Sequence, residues 1–448
     1  MKSLSRYCIA AVVVLSALAV RVEARQAGAP ADGPPLFDAD PVLRGYVARA
    51  LARYPALEEA RLRHEAALEQ VPQARALPEP VLAYTQAIQP VETRVGPQFN
   101  SFGITQMLPW FGVRDRRAGV AQADADTAAE AVTLRQRDVI LAIKQAYYEL
   151  AYVDEAIRTT NEERLLLEQY ERLATSRYAS GQGLQQAVVK LQAEITRVLT
   201  RREDLSGQRL ALAARLNTLM DEPPGTPVPE IAALAVPPSL PDRDALIALG
   251  RLHRPELLVI AATETKRERA LDLAGTLSLP TFTIGASYVN VMRRRDAAGL
   301  AQPPPDDGKN PLAVSVAVTL PIRESKYDAA VQQASREVAA ERTRYRGEEN
   351  ALALDVEDQL ARLRSLAEQT ALFERALVPQ AEEALRSAEA SYATGQVSVL
   401  DLLDSERVLL QVRLVLARQR SDRLIARAKL ERAIGTVLPD PPSRGDRS

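Results

Sequence analysis

Tyr178-Ala179-Ser180-Gly181-Gln182 recurs later in the chain as Tyr392-Ala393-Thr394-Gly395-Gln396, and a long helical pattern follows each copy. The two copies are offset by 214 residues. Two more pairs keep the same order: Tyr54-Pro55 with Arg254-Pro255 at an offset of 200, and Leu108-Pro109 with Leu320-Pro321 at 212. Three matches in one order predict an internal duplication, in which each half builds the same supersecondary unit.

The composition favours long helices over a compact aromatic core. The chain has 448 residues, a formal net charge of −1 and only 4% aromatic residues. Ala, Leu, Glu, Gln and Arg dominate, as they do in coiled coils. The balanced charge gives no support for nucleic-acid binding, which needs a basic patch.

The N-terminus has the pattern of a secretory signal peptide, which we assign to residues 1–24. Lys2 and Arg6 precede an apolar stretch that is too short to span a bilayer comfortably, and no later stretch is long enough. No transmembrane helix is therefore expected in the mature chain. Residues 25–40 are predicted to be flexible. Cys8 is the only cysteine and lies in the removed segment, so neither a disulfide nor a cysteine metal site is expected.

Two long helical hairpins are predicted, over residues 113–220 and 325–436. Glycines at the recurring motif, Gly181 and Gly395, are expected to form their turns. The pattern from 113 to 177 contains no proline, and a helix of that length would extend roughly 100 Å. Its apolar residues alternate between spacings of four and three, which is the coiled-coil pattern: Val139, Ile143, Ala146, Leu150, Val153 and Ile157.

Two β-hairpins are predicted, over residues 81–106 and 281–320. Their strands alternate apolar residues with small or hydroxyl-bearing ones, the pattern of a transmembrane β-barrel. Four strands cannot close a barrel, because closure needs at least about eight. An open edge in lipid would leave backbone groups unpaired. Several chains are therefore expected to share one barrel.

The predicted fold class is mainly α with a small β part. The first repeat covers residues 41–220 and the second 244–437, separated by a Pro-rich linker at 221–243 and followed by a disordered tail at 438–448. Residues 290–311 are expected to be a long polar loop. Together with an export signal, these elements favour a tube that crosses an outer membrane and extends into the periplasm. The alternative is a non-conducting periplasmic coiled-coil protein with a structural role.

The chain resembles the TolC-type outer-membrane efflux proteins over residues 40–437. The resemblance rests on the duplication, on Leu-Pro-Trp-Phe-Gly at 108–112, and on Tyr-Ala-Thr-Gly-Gln at 392–396 followed by Leu-Asp-Leu-Leu-Asp-Ser-Glu at 400–406. It implies a homotrimer with a 12-stranded β-barrel in outer-membrane lipid, four strands per chain, on an α-barrel of helical hairpins. It also implies docking to a periplasmic adaptor and, indirectly, to an inner-membrane pump, with the 221–243 linker at the equator.

Asp401 and Asp404 match the aspartate pair that this family carries at the periplasmic mouth. They are separated by three residues and so share one helix face. Three chains would form a ring of carboxylates that attracts cations. The alternative role is structural, because Ser398 and Asp401 also have the spacing of a capping box. The two roles are compatible.

The resemblance assigns adaptor contact to the two helical turns, at Gly181, Gly183, Leu184, Tyr392 and Gly395. The alternative is that these glycines only end helices. One departure from the family concerns the lock of the mouth, where relatives pair a basic residue with an acid. The matching positions here are Val397 and Ala187, so any lock must use other residues.

Trp110 and Phe111 are expected at the membrane–periplasm boundary, where interfacial aromatic residues are common, with ordinary packing as the alternative. No enzymatic motif is present, and no cofactor is expected. His64 and His253 lie in different contexts, so no metal site is expected. Paired glutamates such as Glu162-Glu163 are expected on solvated helix faces. The Leu-Pro-Trp-Phe-Gly motif resembles channels of heavy-metal efflux pumps; drug efflux and type I protein secretion are the alternatives.

Overall fold

A computed structural model describes residues 40–232 and 242–438, which are mostly helical with one small sheet. Apart from the short α7 and a break that divides α8 from α9, the order of helices and strands in the first half recurs in the second. No helix in these two ranges is long and apolar enough to cross a membrane. The elements are α1 (Pro41–Arg53), α2 (Pro55–Arg75), β1 (Val81–Gln86), β2 (Gln98–Leu108), α3 (Val113–Ala179), α4 (Gln185–Leu219), α5 (Arg243–His253), α6 (Pro255–Ala274), β3 (Thr281–Val291), α7 (Ala297–Ala301), β4 (Leu312–Thr319), α8 (Glu324–Leu372), α9 (Val378–Thr394) and α10 (Val399–Ile434).

The first helical hairpin consists of α3 and α4, joined by residues 180–184. The residues predicted to form the coiled-coil seam of α3 are buried from Val139 to Val153, as the spacing of four and three indicated. Further along, Leu167 and Leu191 are fully buried and pack with Leu402 of α10 in one apolar cluster. The two halves of the chain therefore share a core near the helical turns.

The second helical hairpin consists of α8, α9 and α10, with a single π-helical turn at Phe373–Leu377 between α8 and α9. Pro379 has no amide hydrogen, so the Arg375 carbonyl four residues earlier cannot receive its usual helical hydrogen bond. Just before Pro379, the Val378 amide donates to the carbonyl of Phe373, five residues earlier, which is the wider π-helical pattern. Hydrophobic periodicity alone did not indicate this irregular turn.

The four strands form one antiparallel sheet in the order β1-β2-β3-β4, so β2 and β3 join the two halves. Residues directly opposite one another in an antiparallel sheet point to the same face. Tyr84 lies opposite Phe102, Phe102 opposite Tyr288, and Tyr288 opposite Leu312. The same pairing places most of the other large apolar residues of the strands on this face, together with Gln106, and Val81 and Met107 on the other face. We call the apolar set the apolar face, namely Tyr84, Phe102, Tyr288, Leu312, Leu82, Ile104, Leu108, Phe282, Ile284, Val314, Val316 and Val318.

The opposite face of the sheet carries small and hydroxyl-bearing residues. Ala83 lies opposite Gly103, Gly103 opposite Ser287, and Ser287 opposite Ala313. Both faces are exposed in the single chain, most completely along β4, whose eight residues are all exposed. The sheet therefore contributes little core to its own chain, with Val291 at the end of β3 buried, and its edges are β1 and β4.

The helix junctions that recur in the two halves have the same local geometry. Tyr54 and Arg254 both have extended backbones, as residues before proline do, and the proline begins the next helix. Arg254 is buried and contacts the Glu348 and Asp355 carboxylates at 2.8 Å. It also donates to the Ala433 carbonyl at 3.2 Å, so it connects the α5–α6 junction to α8 and α10.

Several boundaries differ from the sequence-based expectations. The predicted loop at 290–311 contains the end of β3 and the short α7. Leu438, assigned to the disordered tail, is 3% exposed and belongs to an apolar cluster with α5, α6, α8 and α10. Within the linker, Ile231 is buried and its amide donates to Asp154 at 2.9 Å. Residues 1–24, most of 25–40, residues 233–241 and 439–448 lie outside the described ranges.

Replacing Leu191 by alanine should lower the free energy of unfolding by about 2–5 kcal/mol, because it leaves a cavity in the shared cluster. Leu191 is 0% exposed, whereas Val189 on the same helix is 55% exposed. Val189→Ala is therefore the matched control and should cost less than about 0.5 kcal/mol. Denaturant titration of the purified protein in detergent, followed by circular dichroism, measures both. Equal losses would contradict the assigned core.

Candidate functional site at the helical turns

The two helical turns have the same backbone motif, as the duplicated sequence predicts. Gly181 and Gly395 have positive φ angles, 73° and 79°, which are unfavourable for residues with a β-carbon. In the first turn the Gln182 amide donates to the Arg177 carbonyl at 2.9 Å; in the second, Gln396 donates to Ser391 at 2.9 Å. These bonds between residues five apart satisfy carbonyls that the helix end leaves free.

Gly183 has a different role from the other two turn glycines, because its backbone does not require glycine. A β-carbon at this position would lie 3.0 Å from the Arg177 β-carbon and 3.1 Å from the Tyr178 amide nitrogen. The missing side chain lets the start of α4 pack closely against the end of α3.

The second turn ends in the capping box that the sequence indicated. The Ser398 amide donates to Asp401 Oδ2 at 2.9 Å, and the Asp401 amide donates to Ser398 Oγ at 3.4 Å. The Ser398 hydroxyl also donates to Asp401 Oδ2 at 2.7 Å, and these hydrogen bonds hold the pKa of Asp401 below its usual range. Asp401 and Asp404 are both exposed in the single chain. Both carboxylates are therefore accessible to solvent, and Asp401 also has a structural role in the capping box.

Arg177 connects the two turns. Its guanidinium donates to the Tyr392 carbonyl and to the Ala393 carbonyl, both at 2.6 Å, and lies 5.1 Å from the centre of the Tyr392 ring. It therefore caps the end of α9 from the end of α3. From the sequence alone, Arg177 is recognisable only as a basic residue in the last turn of a helix. The helix that Arg177 caps lies 215 residues away and could not be inferred.

The positions that replace the family's polar lock make apolar contacts. Ala187 and Val397 both pack against the apolar cluster shared by the two hairpins. Together with Arg177, they line an open cleft of about 220 Å³ between the turns. Large apolar side chains are exposed on the same end of the hairpins: Leu184 at 72%, Val189 at 55% and Leu400 at 51%.

Trp110 and Phe111 lie between β2 and α3, far along the chain from the turns. Trp110 stacks on Phe282 of β3, with ring centres 5.6 Å apart and ring planes 22° apart. Phe111 is 87% exposed and makes only an edge contact with Trp110. Trp110 therefore packs on β3, while Phe111 is exposed; the position of both residues at the membrane interface stays a prediction.

A group of buried charges behind the turns was not predicted. Glu163, expected on a solvated face, is 4% exposed, and Glu194 and Glu406 are 4% and 3% exposed. The prediction for Glu163 was wrong because the face of α3 that carries it is covered by α4 and α10. Periodicity could have placed Glu163 near the seam, four residues before the fully buried Leu167. In residues 40–232 and 242–438, no three His, Cys, Asp or Glu side chains are arranged to hold a metal ion.

Replacing Arg177 by glutamine should loosen the second turn, because two charge-assisted hydrogen bonds are lost, each worth about 1–3 kcal/mol. Hydrogen–deuterium exchange should show faster exchange at residues 392–398. Arg172→Gln is the matched control, since Arg172 is an exposed arginine on the same helix. Unchanged exchange in Arg177→Gln would contradict a connecting role for Arg177.

Comparison with known proteins gives the context of this geometry. The sequence is similar to nodulation protein T of Rhizobium leguminosarum bv. trifolii, with 22% identity over 408 residues, covering 89% of this chain and 86% of that protein. Its fold is similar to the outer membrane protein VceC of Vibrio cholerae, with 17% identity, a TM-score of 0.71 and coverage of 88% and 96%. It is also similar to the open-state outer membrane channel MtrE of Neisseria gonorrhoeae, with 19% identity, a TM-score of 0.68 and coverage of 88% and 89%.

The family described as outer membrane efflux protein matches residues 46–221 and 246–436. These ranges include both helical hairpins, all four strands and both turns. The resemblance to TolC-type proteins, inferred from a few motifs, is thereby confirmed. The chain belongs to the outer membrane efflux protein family.

Proposed function

We propose that this chain is one third of a trimeric outer-membrane exit duct, through which a tripartite efflux system releases its substrates. The sheet carries the proposal: one face holds most of the large apolar side chains, the other is mainly small and hydroxyl-bearing, and within residues 40–232 and 242–438 neither edge strand has a second neighbouring strand. Such a sheet contributes little core to its own chain. It is a segment of a barrel that other copies complete.

Barrel closure supports a shared assembly. In a bilayer, exposed sheet edges would leave amide and carbonyl groups without partners, at a cost of several kcal/mol each. Pairing β4 of one copy with β1 of the next removes every edge once the ring closes. The apolar face then contacts lipid, and the face with Gly103 and Ser287 lines the lumen. Phe111 lies at the strand-to-helix transition, the level of the membrane interface.

The second turn supports a cation-selective mouth. Asp401 and Asp404 lie in the first turns of α10, and both are exposed in the isolated chain. Their threefold repetition would place six carboxylates around the lumen. A ring of that kind attracts cations and repels anions. This charge favours cationic substrates, including metal ions, over anionic ones.

The exposed ends of the hairpins support contact with a partner protein. Leu184, Val189 and Leu400 form an apolar end surface beside a cleft between the turns. We assign this surface to the periplasmic adaptor that would connect the duct to an inner-membrane pump. Gly181, Gly183 and Gly395 shape that surface, Tyr392 packs inside it, and Arg177 keeps its two halves together.

Asp401→Asn with Asp404→Asn should reduce the preference of the duct for cations, because the ring loses its charge. Asparagine keeps the side-chain oxygen that accepts the Ser398 amide, so the capping box is retained. Single-channel recordings in planar bilayers under a salt gradient measure the reversal potential. Glu368→Gln is the control, an exposed glutamate in the same hairpin away from the turn.

Two results would contradict parts of this proposal. Unchanged ion selectivity in the double variant would remove the assignment of Asp401 and Asp404 to the mouth. The absence of any single-channel current from the wild-type protein would favour the structural, non-conducting alternative.

Val316→Lys should prevent stable insertion, whereas Ala317→Lys should be tolerated. Val316 lies on the apolar face and Ala317 on the other face of the same strand. A lysine facing the middle of the bilayer costs about 2–4 kcal/mol, and the assembly would repeat it three times. The amount of each protein extracted from outer-membrane fractions measures the effect. Equal recovery would show that the apolar face does not contact lipid.

A further inference from the structure

Glu406 lies inside the contact between the two helical hairpins and forms no ion pair with any residue in the ranges 40–232 and 242–438. It is 3% exposed, and its Oε2 atom has no hydrogen-bond partner. The side chain lines a small cavity of about 70 Å³ together with Glu163 of α3 and Leu385 of α9. A buried carboxylate without partners is costly in its ionised form, and such groups usually become neutral instead.

The surrounding arginines pair with the neighbouring acids rather than with Glu406. Glu163 shares part of the character of Glu406, because its Oε1 atom has no hydrogen-bond partner and burial raises the pKa of its carboxyl to about 7. Arg407 contacts Glu194 at 2.5 Å, Arg197 also pairs with Glu194, and Arg201 contacts Glu163 at 2.9 Å. Glu194 therefore has two guanidinium partners and Glu163 has one. In the part of the chain that the structure describes, Glu406 has no ion pair, and Arg201 and Arg407 act on it only at longer range. The titratable and charged groups that face this region are Glu162, Glu163 and Tyr170 on α3; Glu194, Arg197 and Arg201 on α4; Glu382 and Glu389 on α9; and Asp404, Arg407 and Arg413 on α10.

We propose that Glu406 is a proton-binding site between the hairpins, which is protonated while α10 packs on α3 and whose ionisation weakens that packing. The cavity is large enough for water, which needs about 10–15 Å³, so a proton can reach the carboxylate. The site is independent of the duct assignment. Its consequence for the mouth rests on the proposed function, since α10 also carries Asp401 and Asp404.

The direction of the pH dependence follows from the surroundings of Glu406. Burial, and then the charges of Glu163 and Glu194, raise the pKa of Glu406 from 4.5 to about 8. A carboxyl whose pKa is higher in the packed state stabilises that state fully below pH 4.5. This contribution is lost as the pH rises towards 8. Alkaline pH should therefore loosen the start of α10, and acidic pH should secure it.

Hydrogen–deuterium exchange of the full mature protein in detergent tests the proposal, at about pH 6 and about pH 9. After correction for intrinsic exchange, protection of residues 399–410 should fall on the order of 10- to 100-fold at the higher pH. Glu406→Gln keeps the shape of the neutral acid and should abolish this fall. Glu406→Met should do the same, in case glutamine disturbs folding. Glu383→Gln, an exposed glutamate on α9, should retain the wild-type fall.

Infrared difference spectroscopy between the two pH values gives a direct readout. The wild type should show the carbonyl stretch of protonated carboxylic acids at the lower pH. Glu406→Gln should lose the component that belongs to Glu406 and keep the one expected from Glu163, whose pKa burial raises to about 7. Either of two results would overturn the proposal: wild-type protection that does not change with pH, or a pH-dependent fall of the same size in both Glu406 variants. A wild-type fall abolished in both variants and retained in Glu383→Gln would establish the site.

Discussion

The outer edges of β1 and β4 have no neighbouring strand in the described chain, although one face of the sheet carries most of the large apolar side chains of the strands. In water, the backbone groups of a sheet edge can hydrogen-bond to the solvent, but exposure of the apolar face is unfavourable. In lipid, the apolar face is well solvated, but the backbone groups of the edge find no hydrogen-bond partner. In the proposed duct, only other copies of the chain satisfy both requirements at once. The rest of the architecture depends on this constraint, because the strands join directly to the long helices.

The helices have the opposite organisation, since their cores are completed within the chain. The cluster around Leu191 combines residues from both halves, and Arg177 reinforces that connection. The cluster around Leu352 and the contacts of Arg254 lie within the second half. Most of these connections are apolar and independent of pH. The region around Glu406 is different, because three buried carboxylates are shared among three arginines and one carboxylate is left over. A duct that opens needs a contact of limited stability, and this region is a natural place for one.

Much of the fold could be predicted from local patterns. The strands, the helix junctions at Pro55 and Pro255, the turns at Gly181 and Gly395, and the capping box at Ser398 each follow from residues close together in the chain. The two faces of the sheet could be predicted because apolar residues alternate with small or hydroxyl-bearing ones along each strand. The observed register places the apolar residues of neighbouring strands opposite one another. The family could likewise be recognised from a few motifs, because each motif consists of residues that are adjacent in the chain.

The errors concern interactions between distant residues or between a helix and an unseen neighbour. The spacing of apolar residues could place Glu163 near the seam of α3, but it could not show that α4 and α10 cover this side chain. Nor could it show that Arg177 caps α9. The π-helical turn precedes Pro379, whose missing amide hydrogen interrupts the helical hydrogen bonds. The spacing of apolar residues does not reveal such an interruption. Leu438 was assigned to the tail because prolines follow it, yet it completes an apolar cluster.

The number of chains in the assembly tests the central claim most directly. Native mass spectrometry of the mature protein, extracted from outer membranes in mild detergent, measures it without reference to substrate or partner. The account predicts three copies that remain together until the sheet is denatured. A monomer that is stable in water without detergent, with its apolar face exposed, would contradict it.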